Sequence, residues 1–386
     1  MMFRRSVRST AYSPEVEELD ESMRGAVARS LVAQDARWLI DVVRSSQRDP
    51  HLSSVVGLSF IGHFSRVAFE GARIAMSPEP HVGVPALADL LSNNHADVIE
   101  RARHATKLLD DRKKSISDLE AEVASYYELH KAEFTGNAVW FARWAESDLA
   151  LATIDRRLIV SSIPNQLRFG LAATVDQELI GPSMRSVSEQ LGSVVIVLAA
   201  LDGTIPSTQG FLDLSALRSV KFLNRRAARY LDRRFDPVLS DPAKLLLLLV
   251  EGEVNLATYV LPLTRSGHEE SVLRAQFINA THAVRAVRAI LDACPSAISS
   301  GTQRVRRLLA EPRAGLFADD FNSRQVRNQS VHYRLRSDLS QIDATRPMYG
   351  LVEALWEGQT YEKLEMSTSG MLFRLGEALH EWRASS

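Results

Sequence analysis

Apolar residues in this chain return every three or four positions and almost never every second one. Around Leu31–Val43, the residues Val32, Ala36, Leu39 and Val43 share one face of a 3.6-residue repeat. That spacing predicts a helix there and a second over Val55–Ile74. Between Val84 and Phe134 the leucine- and alanine-rich sequence carries many charges without strand-like alternation, which predicts long, partly exposed helices. Only 19 glycines and 14 prolines punctuate 386 residues, too few for a turn-rich all-β architecture. The expected fold is all-α.

Local signals divide the chain further. Ser13-Pro14-Glu15 offers a cap and a proline at a first helical position, and Ser117-Asp-Leu-Glu120 has the pattern of a capping box. Trp140 and Trp144 would stand one turn apart on a helix and read as a packing ridge in preference to a base-stacking platform. Residues 151–170 are the least helical part, and Leu158–Pro164 within them suits a short strand or a buried connection. A helix resumes near Val175 and runs to Leu201, with Gly181-Pro182 as a point where it could break. Asp202–Gly210 is the strongest loop signal and marks the expected boundary between an N-terminal helical region, 1–202, and a C-terminal helical domain, 210–386. Within the latter, Leu214–Phe235, Pro242–Leu261, His268–Ala293, Gln303–Leu309, a helix over Phe321–Arg336 and Ser369–Arg383 read as a bundle with short loops.

Several function classes fall away. The net charge of −1 means that any nucleic-acid affinity must come from local basic patches. The single cysteine, Cys294, excludes an intrachain disulfide and a cysteine-rich zinc site; it ends an amphipathic helix and reads as a packed residue. The most apolar runs, Val194–Leu201 and Leu245–Val250, are far shorter than the ~20 residues that span a bilayer. Met1–Thr10 is basic with no apolar run behind it, unlike a secretory signal. His268-Glu269-Glu270 is followed by Val272 where a zinc motif needs histidine, and no phosphate loop, dinucleotide turn or nucleophile elbow occurs. A cytoplasmic protein without metal, cofactor or membrane span is expected.

One stretch carries chemistry. As a helix, Phe321–Arg336 places Arg324, Asn328 and His332 in one polar row, with Arg336 a turn further and Arg327 to one side. An imidazole titrates near neutrality and suits general acid–base work, and a guanidinium can fork onto phosphate oxygens. Asp319 and Asp320 precede this helix and are expected to cap it.

Arg327-Asn328-Gln329-Ser330-Val331-His332 resembles the R-x4-H signature, in its RN-x3-H form, of the HEPN superfamily. That resemblance implies a C-terminal HEPN-like helical bundle and a metal-independent endoribonuclease that works as a homodimer, with two copies of the motif facing each other. It implies Arg327, Asn328 and His332 as catalytic residues, RNA as substrate, and a role as a toxin or defence effector under a regulatory protein partner or region. Arg324, Arg334 and Arg336 are the expected RNA contacts beside the motif. The densest basic segment, Arg225–Arg234, adds Arg225, Arg229 and Arg233, read as neighbours on a helix face. Arg304, Arg306 and Arg307 form a further basic cluster. The rival reading is a catalytically silent helical module that binds RNA or a protein, such as an antitoxin or regulatory subunit.

Overall fold

The computed structural model describes residues 20–76, 85–91, 95–106, 115–136, 138, 143, 146–171, 177–204, 212–337, 339 and 342–382. The cap at Ser13 and the tryptophan pair Trp140 and Trp144 lie outside the described residues. Six helices lead: α1 (Glu21–Ser46), α2 (Pro50–Ser59), α3 (Ile61–Ala75), α4 (Pro85–Leu90), α5 (Ala96–Thr106) and α6 (Ile116–Phe134). A hairpin of β1 (Leu149–Ile154) and β2 (Arg157–Ser161) follows, then α7 (Ser162–Arg168) and α8 (Gln177–Leu198). Strand β3 (Lys221–Arg225) precedes α9 (Ala227–Arg234), α10 (Asp241–Asn255), α11 (Glu269–Ala293) and α12 (Ser300–Ala310). The chain continues through α13 (Pro312–Ala318), α14 (Phe321–His332), α15 (Leu351–Leu355) and α16 (Tyr361–His380). With 74% of the described residues helical, the protein is predominantly all-α.

Helix α1 starts where Asp20 accepts a hydrogen bond from the Met23 amide, and it buries Val32, Ala36 and Leu39 completely. The single helix expected over Val55–Ile74 is two helices, α2 and α3, bent by 58° at Phe60. Ser59 sits at the bend and returns its hydroxyl to the Val55 carbonyl at 2.6 Å, a back-bond that favours bending. The capping box of α6 lies two residues earlier than expected. Ser115 accepts from the Asp118 amide at 3.2 Å, and Asp118 accepts from the Ser115 amide at 2.9 Å.

Helix α10 is the centre of the molecule. With the π turn Leu256–Val260 and the short 3-10 turn after it, Asp241–Thr264 is apolar and long enough to cross a membrane. Its most apolar 18 residues are 83% buried against the other elements, among them β2, α6, α11 and α16, so it is the core of this fold.

The sheet, in the order β2-β1-β3, is antiparallel throughout. Asp155 and Arg156 turn the hairpin with φ of +46° and +66°. The strand alternative for Leu158 onward is therefore the one adopted. Helical continuity over Leu214–Phe235 is not. A 3-10 turn (Ser215–Ser219), strand β3 and helix α9 divide it, and the Leu151–Leu223 and Ala152–Phe222 pairings with β1 take up the backbone that a helix would have used. Strand β3 lies after the 202–210 loop and its partner β1 before it, and one hydrophobic cluster draws on both regions.

Candidate active site

Helix α14 begins where Asp320 accepts a hydrogen bond from the Ser323 amide at 2.7 Å, the cap expected of that aspartate. Asp319 instead pairs with Arg288. The helix buries Val326 and Ser330 and stops at His332, because Tyr333 adopts a left-handed conformation with φ of +52°. Arg334 and Arg336 therefore lie beyond the helix and do not extend its polar row. A non-glycine residue in that region is strained and needs surrounding contacts to hold it there. Those contacts are visible. The fully buried Tyr333 hydroxyl donates to Asp35 at 2.6 Å and accepts from Arg66 at 2.7 Å.

Asp35 is the hub beneath the motif. It takes a second bond from Arg66 at 3.0 Å and one from Arg274 Nε at 3.1 Å, and it has no solvent exposure. Burial pushes the carboxyl up, but the charges of Arg274 and Arg66 and the hydrogen bonds from Arg274 and Tyr333 outweigh it and hold the pKa at about 2. Burial drives Tyr333 well above the ordinary phenol range, so it remains a neutral donor. Helices α1, α3, α11 and the end of α14 are thus joined through one carboxylate.

A second buried carboxylate lies one step nearer the surface. Glu70 on α3 is 2% exposed and accepts from Arg103 Nε and Nη2 at 3.2 and 3.1 Å. Its other oxygen, Oε2, accepts from His332 Nδ1 at 2.9 Å. The next residue makes this placement sterically possible: a Cβ at Gly71 would lie 2.7 Å from Leu198 and 2.8 Å from Val32, so only glycine lets α3 lie this close to α1 and α8. With Nδ1–H committed to Glu70, the His332 tautomer is fixed and Nε2 is left for other work. The His332 side chain is 39% exposed.

Arg327 faces the other way. It is 6% exposed; Nη1 donates to Asn328 Oδ1 at 2.8 Å, and Nη2 lies 2.8 Å from His282 Nε2. A guanidinium has only donors, so His282 accepts through Nε2 and carries its proton on Nδ1. Burial pushes the His282 imidazole down to about 3, consistent with that neutral form. Burial, reinforced by Arg103, brings Arg327 down to about 10, which leaves it cationic at neutral pH. By the same logic Asn328 turns its oxygen toward Arg327 and its NH2 away from it.

Asn328 and His332, with Gln325 and Gln329, line a cleft of about 1130 Å³ between α1, α3 and the end of α14. Five arginines line it as well: Arg24 and Arg29 from α1, Arg73 from α3, and Arg334 and Arg336 after α14. They face two glutamates, Glu21 and Glu70, of which Glu70 is already paired. Of the residues singled out in the sequence, Asn328, His332, Arg334 and Arg336 meet here. Arg327 lies behind the cleft, and Arg324 is half-buried and off it. Arg225, Arg229 and Arg233 do not line it either: Arg225 ends β3 and the other two sit exposed on α9, which packs on α10. Arg304 pairs with Glu381, and Arg306 donates to the Leu291 and Cys294 carbonyls at the end of α11.

No protein-family model, curated protein or solved structure matches the chain.

Among the described residues no three His, Cys, Asp or Glu side chains are grouped to hold a metal ion. Sequence reasoning missed Glu70, Arg103, Asp35, Arg66, Arg274, Tyr333 and His282. The only available signal was polar residues within apolar helix faces: Asp35 in the Leu31–Leu39 run, and His63, Arg66 and Glu70 on one face of α3. His282 carried none.

Proposed function

We propose that the protein is a metal-independent endoribonuclease of the HEPN type, acting through His332 at the arginine-lined cleft. One observation carries this reading: His332 presents its ring to a basic cleft while a buried carboxylate, Glu70, holds its Nδ1–H. Nε2 takes the proton of an RNA 2′-hydroxyl, the 2′-oxygen attacks the adjacent phosphorus, and the bond to the 5′-oxygen breaks. Glu70 stabilises the imidazolium that forms. That proton, or one from a second motif across a homodimer, goes to the departing 5′-oxygen. The products are a 2′,3′-cyclic phosphate and a 5′-hydroxyl. The lining arginines and the Asn328 amide bind phosphate oxygens and offset the charge that builds on them. Arg327 acts from behind by orienting Asn328. No phenylalanine, tyrosine or tryptophan lines the cleft among the described residues, so the reading is of an enzyme that grips the RNA backbone more than it stacks bases. A cytoplasmic toxin or defence effector, restrained by a regulatory partner, is the biological setting that this proposal carries.

The engagement of the Arg327 fork by Asn328 and His282 favours the rival, a silent RNA-binding module. Incubating the full chain with single-stranded RNA in EDTA separates the two. Fragments ending in 2′,3′-cyclic phosphate support the enzyme; salt-dependent binding without fragments supports the module.

A further inference from the structure

Away from the arginine cleft, a second cavity of about 610 Å³ opens where the β1–β2 turn, the start of α12 and the end of α16 meet, a size that suits a small ligand. Gly301 allows this meeting: a Cβ there would lie 2.6 Å from Trp382 Cδ1, so only glycine lets α12 begin this close to the end of α16. Among the described residues every side chain that lines the cavity is polar or charged, so an apolar ligand has nothing to pack on. Three arginines, Arg156, Arg157 and Arg304, are set against two carboxylates, Asp155 and Glu381. Ser300, the first residue of α12, also lines it and adds the positive end of that helix's dipole.

His380 completes the lining and is backed from inside the protein. Its Nδ1 lies 3.8 Å from Glu251 Oε1, and both atoms are buried with no hydrogen-bond partner among the described residues. Glu251 has no solvent exposure, and its other oxygen accepts from Arg234. With Nδ1 turned to that carboxylate, Nε2 is the ring nitrogen left for the cavity, and the His380 side chain is 32% exposed. The arrangement repeats that of His332 and Glu70, a histidine backed by a buried carboxylate at an arginine-lined hollow. The arginines differ in how far they are engaged. Arg156 stands exposed in the turn and has no ion-pair partner among the described residues. Arg304 pairs with Glu381, but both side chains are half-exposed, and pairs of that kind contribute little. Arg157 is held by Glu377 at 2.7 Å and adds charge from behind.

We infer that this cavity binds a phosphate group, free or as the head of a small monoester. Arg156, Arg304 and His380 Nε2 donate to its oxygens from three different elements, and Glu251 stabilises the imidazolium that this contact favours. Phosphate takes the place of Glu381 on Arg304. Donors that converge from three sides suit a tetrahedral, doubly charged oxyanion better than a flat, singly charged carboxylate. Among the described residues this cavity shares no lining residue with the His332 cleft, and RNA cleavage is not part of its test.

The test is NMR of the histidine rings in the full chain, titrated with orthophosphate and with phenyl phosphate at constant ionic strength. The His380 signal, assigned by its absence from His380→Gln, is expected to shift saturably with at least one of the two. Whichever anion binds more tightly names the source, the free ion or the ester. Arg156→Gly removes the guanidinium, keeps the left-handed turn, and weakens binding about tenfold or more. Arg304→Ala acts in the same direction and serves if the first variant does not fold. A His380 signal that stays in place overturns the inference, including where phosphate enters only the other cleft and shifts His332. So does wild-type affinity at His380 in a folded Arg156→Gly variant, or in Arg304→Ala where the first does not fold.

Discussion

Helices α14 and α9 are both rich in arginine, and the fold uses the two in opposite ways. On α14, Arg327 is turned inward and bonded to Asn328 and His282, and the residue that ends the helix, Tyr333, is tied to Asp35 and Arg66. On α9, Arg229 and Arg233 stand exposed, and only Arg234 turns inward to Glu251 and Tyr230. Local charge density is higher in the α9 segment. What differs is whether buried carboxylates from distant helices lie underneath. Asp35 and Glu70 tie Tyr333 and His332 at the end of α14 to α1 and α3, whereas on α9 Glu251 pairs with Arg234 alone among the arginines of that helix. Arginines line a shared cleft on the α14 side, where helices from distant parts of the chain meet, and Arg229 and Arg233 stand apart from it on α9.

The contrast can be broken from the α14 side first. Asp35→Ala leaves Arg66 and Arg274 buried without their shared counter-ion, and a loss of about 3–5 kcal/mol is expected from chemical unfolding. A loss below about 1 kcal/mol would mean that the network does not organise the helices around it.

Acid gives the next largest effect. The Asp35 carboxyl sits at about 2 against an ordinary 3.8, so its contribution is complete above pH 3.8 and is lost as the pH falls through 2. That contribution is about 2 kcal/mol. The His63 and His282 imidazoles are held down at about 3 against 6.5, chiefly by burial. The unfolded chain binds their protons first, so their contribution is complete above pH 6.5 and declines as the pH falls toward 3. The unfolding midpoint should drop progressively below pH 6.5, and His282→Asn should flatten the upper part of that slope. An unchanged slope in the variant would show that His282 is not buried neutral beside Arg327.

The smallest effect belongs to α9. Arg229→Ala and Arg233→Ala should each change stability by no more than about 0.5 kcal/mol. If cleavage or RNA affinity falls further in these variants than in Arg29→Ala or Arg334→Ala, the substrate runs over α9 and the cleft is not its main track.

How much of this was legible in the sequence follows from how far apart the partners are. Helix α1 and the Asp320 cap were readable because their determinants lie within a turn or two. The end of α14 was not, since Tyr333 is held in its left-handed turn by Asp35, 298 positions away. Strand β3 was misread as helix for a similar reason: its pairing partner, β1, lies some 70 residues earlier, and the alternation within Lys221–Arg225 is too short to show it. In the site, His332 and Asn328 announced themselves through the motif. Glu70, 262 positions away, could not be assigned to His332 by any local pattern. The motif also misdirected in one respect. It named Arg327 as the group that meets phosphate, whereas the fold points that side chain at His282 and gives the cleft to arginines from α1, α3 and the segment after α14.

We propose that His332, held by Glu70, carries out proton transfer in the arginine cleft. The most direct test of that role is the rate of RNA cleavage in EDTA by His332→Ala beside the wild-type chain, with unfolding midpoints measured on both. The expected rate is about 10²–10⁴-fold lower in the variant, with the two stabilities within about 1 kcal/mol of each other. Wild-type cleavage by a folded His332→Ala protein would contradict it.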